Sequence, residues 1–230
     1  MKKKQHTFFA WVLVILIIIA MVASGGAMFF SGGGVPSTNS NATTQAANPV
    51  ADYQATKARL EAMVKQAKLD PGNIPLQTAL GNEYYNAGAE AETVAIAETK
   101  ENYKHAVEAY QNVLKTNKDI NVMVDMATAA FKSGDNDLAE KSFNEALAIK
   151  PDFINALINY GIFLSEAKQD WTGALNQWQK ALPLAQNSSD KAQIQAMISE
   201  AQSQIKASSN NGTSNPATNG MSNPTLKTGK

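Results

Sequence analysis

The stretch that decides the fold runs from residue 120 to residue 153 and reads INVMVDMATAAFKSGDNDLAEKSFNEALAIKPDF. Its apolar residues recur at helical spacing on both sides of Gly134, as they do in two amphipathic helices joined by a tight turn. Gly134 suits the left-handed position that ends a helix, and Asp135 suits the cap of the next helix. Pro151 cannot continue that second helix. The stretch therefore predicts a helix hairpin.

The same order of small and large residues recurs in the segment 154–186. Small residues let two backbones approach closely, and large residues fill the space beside them. The matching residues are Ala127, Ala139, Phe143 and Ala146 in the first segment and Gly161, Ala174, Trp178 and Ala181 in the second. An earlier segment, 74–118, carries Leu80, Gly81, Tyr84 and Tyr110 in the same order. Repetition of one hairpin unit predicts a solenoid.

This pattern resembles the tetratricopeptide repeat family over roughly residues 53 to 185. The resemblance implies an all-α, right-handed α-solenoid of about three hairpins, at 74–118, 120–153 and 154–186. Helical spacing of apolar residues extends it with an N-terminal helix at about 51–69 and a C-terminal capping helix at about 189–207. Lys118 and Gln186 depart from the family, because a closing proline is usual at both positions.

The first hairpin carries an insertion at 89–102. Gly88 and Tyr103 are about 13 residues further apart than the family spacing leaves between them. The inserted residues are rich in strong helix formers and include neither Pro nor Gly. We expect about two to four extra helical turns that project from the edge of the solenoid. These turns are either a neutral extension or a dedicated contact surface.

The N-terminus contains a long apolar run at 8–30. Its 23 residues are enough to cross a bilayer as a helix. Lys2, Lys3 and Lys4 precede it, and the next basic residue is Lys57, so the positive-inside rule predicts a cytoplasmic basic stub at 1–7 and an extracytoplasmic domain. We interpret 8–30 as an uncleaved signal anchor. A signal peptide cleaved near Ala27 is the alternative.

Two segments of small polar residues flank the repeats. Residues 31–50 are nearly all small or polar and predict a flexible linker to the repeat domain at 51–207. Residues 208–230 return to the same composition and predict a disordered tail. The predicted order is therefore anchor, tether, solenoid and tail.

Composition excludes several classes of function. The chain lacks cysteine, so thiolate metal sites and cysteine nucleophiles are absent. Its 20 basic and 20 acidic residues balance, and without the three N-terminal lysines the remainder is slightly acidic, which argues against a nucleic-acid partner. No phosphate loop or hydrolase motif occurs. We predict no catalysis, no cofactor, no metal and no small-molecule substrate.

The resemblance implies a concave groove lined by the first helix of each hairpin. Carried over by position, the groove residues are Asn82, Tyr85, Asn86, Asn121, Asp125, Thr128, Phe131, Lys132, Asn155, Asn159, Ile162 and Glu166. An Asn amide both donates and accepts hydrogen bonds, which suits it to hold the backbone of an extended peptide. The alternative is that these are merely solvated polar positions. Lys132 is the sole basic residue among them, so capture of a terminal carboxylate by several cations is not expected.

Together these features predict a membrane-anchored, extracytoplasmic scaffold of the bacterial cell envelope that binds a protein or extended peptide client. Two other classes stay open. One is an envelope assembly chaperone, similar to those of cytochrome c maturation or outer-membrane assembly. The other is an accessory subunit of a membrane enzyme complex.

Overall fold

A computed structural model describes residues 48–212, with side chains to residue 209. This part of the chain consists of eight α-helices and one short 3-10 helix at Leu182–Leu184. The α-helices are α1 (Pro49–Leu69), α2 (Ile74–Val94), α3 (Ile96–Leu114), α4 (Ile120–Ser133), α5 (Asn136–Ile149), α6 (Ile154–Ala167), α7 (Trp171–Ala181) and α8 (Ser188–Gly212). The predicted basic stub, membrane helix and most of the linker lie outside the described residues. None of the helices within 48–212 has the length and apolar character needed to span a bilayer.

Local sequence signals set the helix ends. The carboxylate of Asp135 accepts the backbone N–H of Leu138 at 3.1 Å and caps α5, while Gly134 ends α4 in the left-handed region at φ 95°. The turn between α6 and α7 is one residue longer than the turn between α4 and α5. In it Gln169 takes the left-handed position at φ 55°. Its side-chain amide donates to the carbonyls of Ser165 and Glu166, which offsets the cost of this conformation for a residue with a Cβ.

The two helices of a hairpin approach most closely where a glycine on the first faces an aromatic ring on the second. A methyl group added to Gly161 would overlap the indole of Trp178, and one added to Gly81 would overlap the ring of Tyr110. The middle hairpin uses Ala127 and Phe143, both fully buried. Ring and small residue therefore fit together as knob and hole, as the repeat pattern predicts.

The insertion at 89–102 lengthens both helices of the first hairpin. Helices α2 and α3 have 21 and 19 residues, against 14 each in α4 and α5, and only Ala95 separates them. The expectation that these turns project from the edge is wrong on one side, because α1 is as long as α2 and covers them. Tyr53 of α1 is 2% exposed, and its hydroxyl donates to Glu98 at 2.9 Å.

Helix α1 starts two residues inside the predicted linker and α8 ends five residues inside the predicted tail. Asn48 caps α1 by accepting the N–H of Ala51 at 3.3 Å, and Pro49 fits the first helical turn. At the other end the hydroxyls of Ser208 and Ser209 donate to carbonyls of the preceding turn, so these polar residues continue the helix. The rest of the tail lies outside the described residues.

Successive helices pack in chain order, and the hairpins share a continuous core. Helix α8 caps the last hairpin by burying Ile194, Ile198 and Ala201. Among the described helices, α4 packs directly against α6, whereas the second helices α5 and α7 are further apart. The first helices α4 and α6 therefore line the inner side of the stack, and the ion pair between Glu92 and Lys132 joins α2 to α4 on that side.

Candidate functional site

The predicted groove residues all lie on the first helices of the hairpins. Asn82, Tyr85 and Asn86 are on α2, the residues from Asn121 to Lys132 are on α4, and those from Asn155 to Glu166 are on α6. Electrostatic coupling joins the three helices, because Lys132 on α4 lies close enough to act on Glu166 of α6 and contacts Glu92 of α2. The inner face is therefore one surface rather than three separate ones.

Three groove asparagines have side chains that make no hydrogen bond to another described residue, namely Asn86, Asn155 and Asn159. Asn86 is exposed, and the other two are half-buried on successive turns of α6. Their amide groups are open to a ligand. An Asn amide without a partner can both donate and accept a hydrogen bond.

Two other predicted asparagines have structural partners. Asn82 accepts a hydrogen bond from the hydroxyl of the buried Tyr110 at 2.8 Å, so it supports the contact between α2 and α3. The amide of Asn121 donates to the carboxylate of Asp119 at 3.1 Å, within the cap of α4. Each of these two side chains therefore satisfies a neighbouring polar group, and a role for them in binding a client stays a prediction.

Thr128 is not part of the accessible surface. It is 7% exposed, and its hydroxyl donates to the carbonyl of Val124 at 2.9 Å. Helix α4 carries this position into the core because α4 packs on α3, α5 and α6. The prediction of Thr128 as a groove residue is therefore wrong in its assumption of exposure.

The floor of the groove between α4 and α6 is apolar. Phe131 and Ile162 are half-buried and pack on the core. The ring of Phe131 meets that of Phe163 edge to face, with centroids 5.6 Å apart. This part of the groove offers a site for an apolar side chain.

A polar seam joins α2 and α4. Burial raises the pKa of Asp125 to about 7, and the neighbouring Asp119 adds to the rise. Burial also raises the pKa of Tyr85 and of Tyr110, and Asp125 contributes to both shifts. Tyr85 in turn packs edge to face on Tyr103, with centroids 5.2 Å apart. Asp125 thus lies among phenol groups at the bottom of the groove.

Glu92 extends the groove, and sequence reasoning missed it. It lies 3.8 Å from the ammonium of Lys132, and it accepts a hydrogen bond from the hydroxyl of Tyr103 at 2.9 Å. The sequence contains a signal for this position, because Glu92 follows the predicted groove residue Tyr85 by two helical turns and so lies on the same face of α2. Its position inside the insertion obscured that spacing. The insertion therefore contributes a carboxylate to the groove.

Glu166 faces the same end of the groove from α6. The residue is exposed, but partial desolvation raises the pKa of its carboxyl, the charge of Lys132 opposes the rise, and Glu92 reinforces it. Two carboxylates and one ammonium thus interact electrostatically across α2, α4 and α6. We call Glu92, Lys132 and Glu166 the charged end of the groove.

Comparisons with known proteins add the following likenesses. No protein-family profile matches the chain, and no curated protein matches it. Among solved structures it is similar to MamA, with 15% identity, coverage of 68% of this chain and 82% of that one, and a TM-score of 0.46. A tetratricopeptide repeat protein from Parabacteroides merdae ATCC 43184 is 17% identical, over 70% of this chain and 59% of that one, with a TM-score of 0.47.

The described residues define an all-helical solenoid of stacked hairpins. Because both TM-scores are below 0.5, this class rests on the packing of the chain itself. A glycine faces an aromatic ring in the first and third hairpins, and Ala127 and Phe143 are buried in the second.

Proposed function

We propose that the chain is a membrane-anchored scaffold that holds an extended protein segment in the groove lined by α2, α4 and α6. The observation that carries the proposal is the set of unpaired amides of Asn86, Asn155 and Asn159 along an inner face with an apolar floor. Main-chain hydrogen bonds to such amides give affinity without demanding one client sequence, while the apolar floor favours a side chain at one position.

The placement outside the cytoplasm is part of the same proposal. It is supported by the apolar run at 8–30, by the three lysines before it and by the absence of Lys or Arg between Lys4 and Lys57. A tether of about 18 residues would let the solenoid reach about 20 to 25 Å from the bilayer. A client would then be bound close to the membrane surface.

The binding test replaces the three unpaired asparagines together with Ala. Each hydrogen bond contributes a net of about 0.5 to 1.5 kcal/mol, so affinity for the client should fall by about 2 to 4 kcal/mol, or roughly 30-fold to 1000-fold. The client is first identified by crosslinking in intact cells and mass spectrometry, and its affinity is then measured by calorimetry. Because these side chains have no partner in the described part of the chain, thermal stability should hardly change.

The matched control replaces Lys141, Glu145 and Gln179 with Ala. These residues are exposed on the second helices α5 and α7, away from the inner face. If the control variant loses affinity and the asparagine variant keeps it, the client binds the outer face and the proposal fails.

The topology test uses single cysteines in a chain that has none of its own. A cysteine at Ser37 should react with a membrane-impermeant thiol reagent in intact cells, after permeabilisation of any outer membrane, and one at Gln5 should not. The reverse labelling would contradict the extracytoplasmic placement. Release of a shortened chain from the membrane would instead support a cleaved signal peptide.

A further inference from the structure

The charged end of the groove carries an excess of negative charge. Lys132 lies against Glu92, at 3.8 Å, rather than against Glu166. Glu92 is also held by the Tyr103 hydroxyl, which fixes its carboxylate at the rim of α2. One ammonium therefore serves two carboxylates, and Glu166 is exposed and makes no ion pair with another described residue. A cation supplied by a ligand would find complementary charge here.

This acidic site adjoins the apolar floor of the groove. Ile162 and Glu166 are one helical turn apart on α6, and Phe131 precedes Lys132 on α4. An apolar side chain over Phe131 and Ile162 would therefore lie next to a side chain that reaches Glu166. The two sites together favour a client that carries an apolar residue and a basic residue close in sequence.

The spacing along α6 sets the register of such a client. From Asn159 to Glu166 is about 10 Å along the helix axis, at about 1.5 Å per residue. An extended peptide covers that distance with about three residues, at about 3.3 Å each. A backbone group held by Asn159 and a basic side chain at Glu166 would then be about three residues apart, with the apolar side chain between them.

We propose that the groove selects an extended client segment in which a Lys or Arg, adjacent to an apolar residue, binds Glu92 and Glu166 at the charged end. This inference rests on the proposed binding of a client in the groove, and it adds the chemical class of that client. Arg suits the site best, because its planar guanidinium presents several N–H donors in a fixed fork that matches carboxylate oxygens.

The test selects binders from a displayed library of random peptides on the purified full chain in uncharged detergent. Bound sequences should be enriched in Lys or Arg next to an apolar residue, and the affinity of the best peptide should fall as salt is raised. Replacing both acids by their isosteric amides, Glu92→Gln with Glu166→Gln, should weaken that peptide about 5-fold to 30-fold and remove the basic enrichment. Gln at residue 92 keeps an acceptor for Tyr103, so the helix packing should persist.

The matched control carries Glu101→Gln with Glu145→Gln. These acids are exposed on α3 and α5, outside the groove, and their replacement changes the net charge equally. The control should bind the peptide as the unmodified chain does. A third variant, Lys132→Gln, should tighten binding about 2-fold to 5-fold, because it releases Glu92 to the ligand.

The outcomes separate this inference from the proposed function. If the selected peptides are neutral or acidic, and the asparagine variant still weakens them, the groove binds clients but the basic preference is wrong. An equal loss of peptide affinity in the groove and control acid variants would mean that net charge alone causes the effect. That result would also overturn the inference. If no peptide is enriched over empty micelles, both the inference and the proposed peptide-binding function fail.

Discussion

The first and third hairpins differ in length, but in both a glycine on the first helix contacts an aromatic ring on the second. The third, α6 with α7, has one contact of glycine with an aromatic ring, between Gly161 and Trp178, and the indole N–H donates to the carbonyl of Ile158 at 3.1 Å. The first, α2 with α3, has two such contacts. Gly81 faces Tyr110, and two helical turns further along α2 Gly88 faces Tyr103.

The difference shows how a helical repeat accommodates an insertion. Gly88 follows Gly81 by seven residues, and Tyr103 precedes Tyr110 by seven, so the antiparallel register is preserved along the longer hairpin. The extension is a continuation of one interface, with α1 packed on one side of it. It also brings Glu92 to the groove. Added length thus changed the inner face without disturbing the stack.

Replacing the glycines of the third and first hairpins should give the largest change in stability. Gly161→Ala should lower the free energy of unfolding by about 2 to 3 kcal/mol, because the methyl group meets the Trp178 ring and displaces its hydrogen bond. Gly88→Ala should cost about 1 to 2 kcal/mol, since the contact of Gly81 with Tyr110 in the same hairpin stays intact. Chemical denaturation of the chain followed by circular dichroism measures both.

Gly72→Ala serves as the control for these variants. Gly72 lies in the exposed turn before α2, where an added methyl group meets only the Asp70 carboxylate at 4.0 Å. Its replacement should leave stability nearly unchanged. If Gly88→Ala proves as costly as Gly161→Ala, the two glycine contacts of the long hairpin contribute to stability independently, and the contact of Gly81 with Tyr110 does not compensate for the loss.

The seam between the long hairpin and α4 offers the next test, at Asp125. Its pKa in the folded chain is about 7, and in the unfolded chain it should stay near about 3.9. As pH rises, the unfolded chain loses this proton first, so the stability of the unmodified chain declines between about pH 4 and pH 7 on account of this group. Above about pH 7 the loss of stability due to Asp125 no longer changes with pH.

Asp125→Asn should therefore stabilise the chain at high pH but not at low pH. Each pKa unit corresponds to about 1.4 kcal/mol, and partial solvent access reduces the effect, so we expect a gain of about 1 to 2 kcal/mol at pH 8 that vanishes near pH 4. The measurement is the melting temperature at both pH values, with the exposed Asp152→Asn as control. A gain that is independent of pH would contradict the titration of Asp125.

The smallest effect should separate two asparagines within the long hairpin. Asn82→Ala leaves the buried hydroxyl of Tyr110 without its acceptor and should cost about 1 kcal/mol of stability. Asn86→Ala removes an exposed amide and should change stability by less than about 0.5 kcal/mol. Thermal melting of the two variants side by side decides the point. Equal melting temperatures would show that Tyr110 finds another partner.

Local signals predicted the helix ends well. Gly134 has the left-handed backbone and Asp135 the capping hydrogen bond expected from their types, because both roles depend on neighbours a few residues away. The small and aromatic residues of the hairpins are buried as the pattern indicates, including Ala146 and Ala181. The left-handed Gln169 was less evident, because its side chain compensates for a conformation that Gln rarely adopts.

Groove residues were predicted less well, because their roles depend on partners distant in sequence. Asn82 and Asn86 are both exposed asparagines one turn apart, yet only the first meets a tyrosine from α3. Thr128 shares a helix with the accessible Lys132 and is buried by packing of α4 on its neighbours. No local pattern distinguishes these cases.

The sequence by itself determined the hairpins, their small and large packing residues and the helix caps, since each of these is set by chemistry within a few turns of one chain. The tertiary structure decided that α1 covers the insertion, that Glu92 reaches Lys132 and that Asn82 supports Tyr110. Those contacts join residues on separate helices, and their distances follow from how the hairpins stack. Stacking geometry depends on the sum of many side-chain contacts, so no short stretch of sequence specifies it.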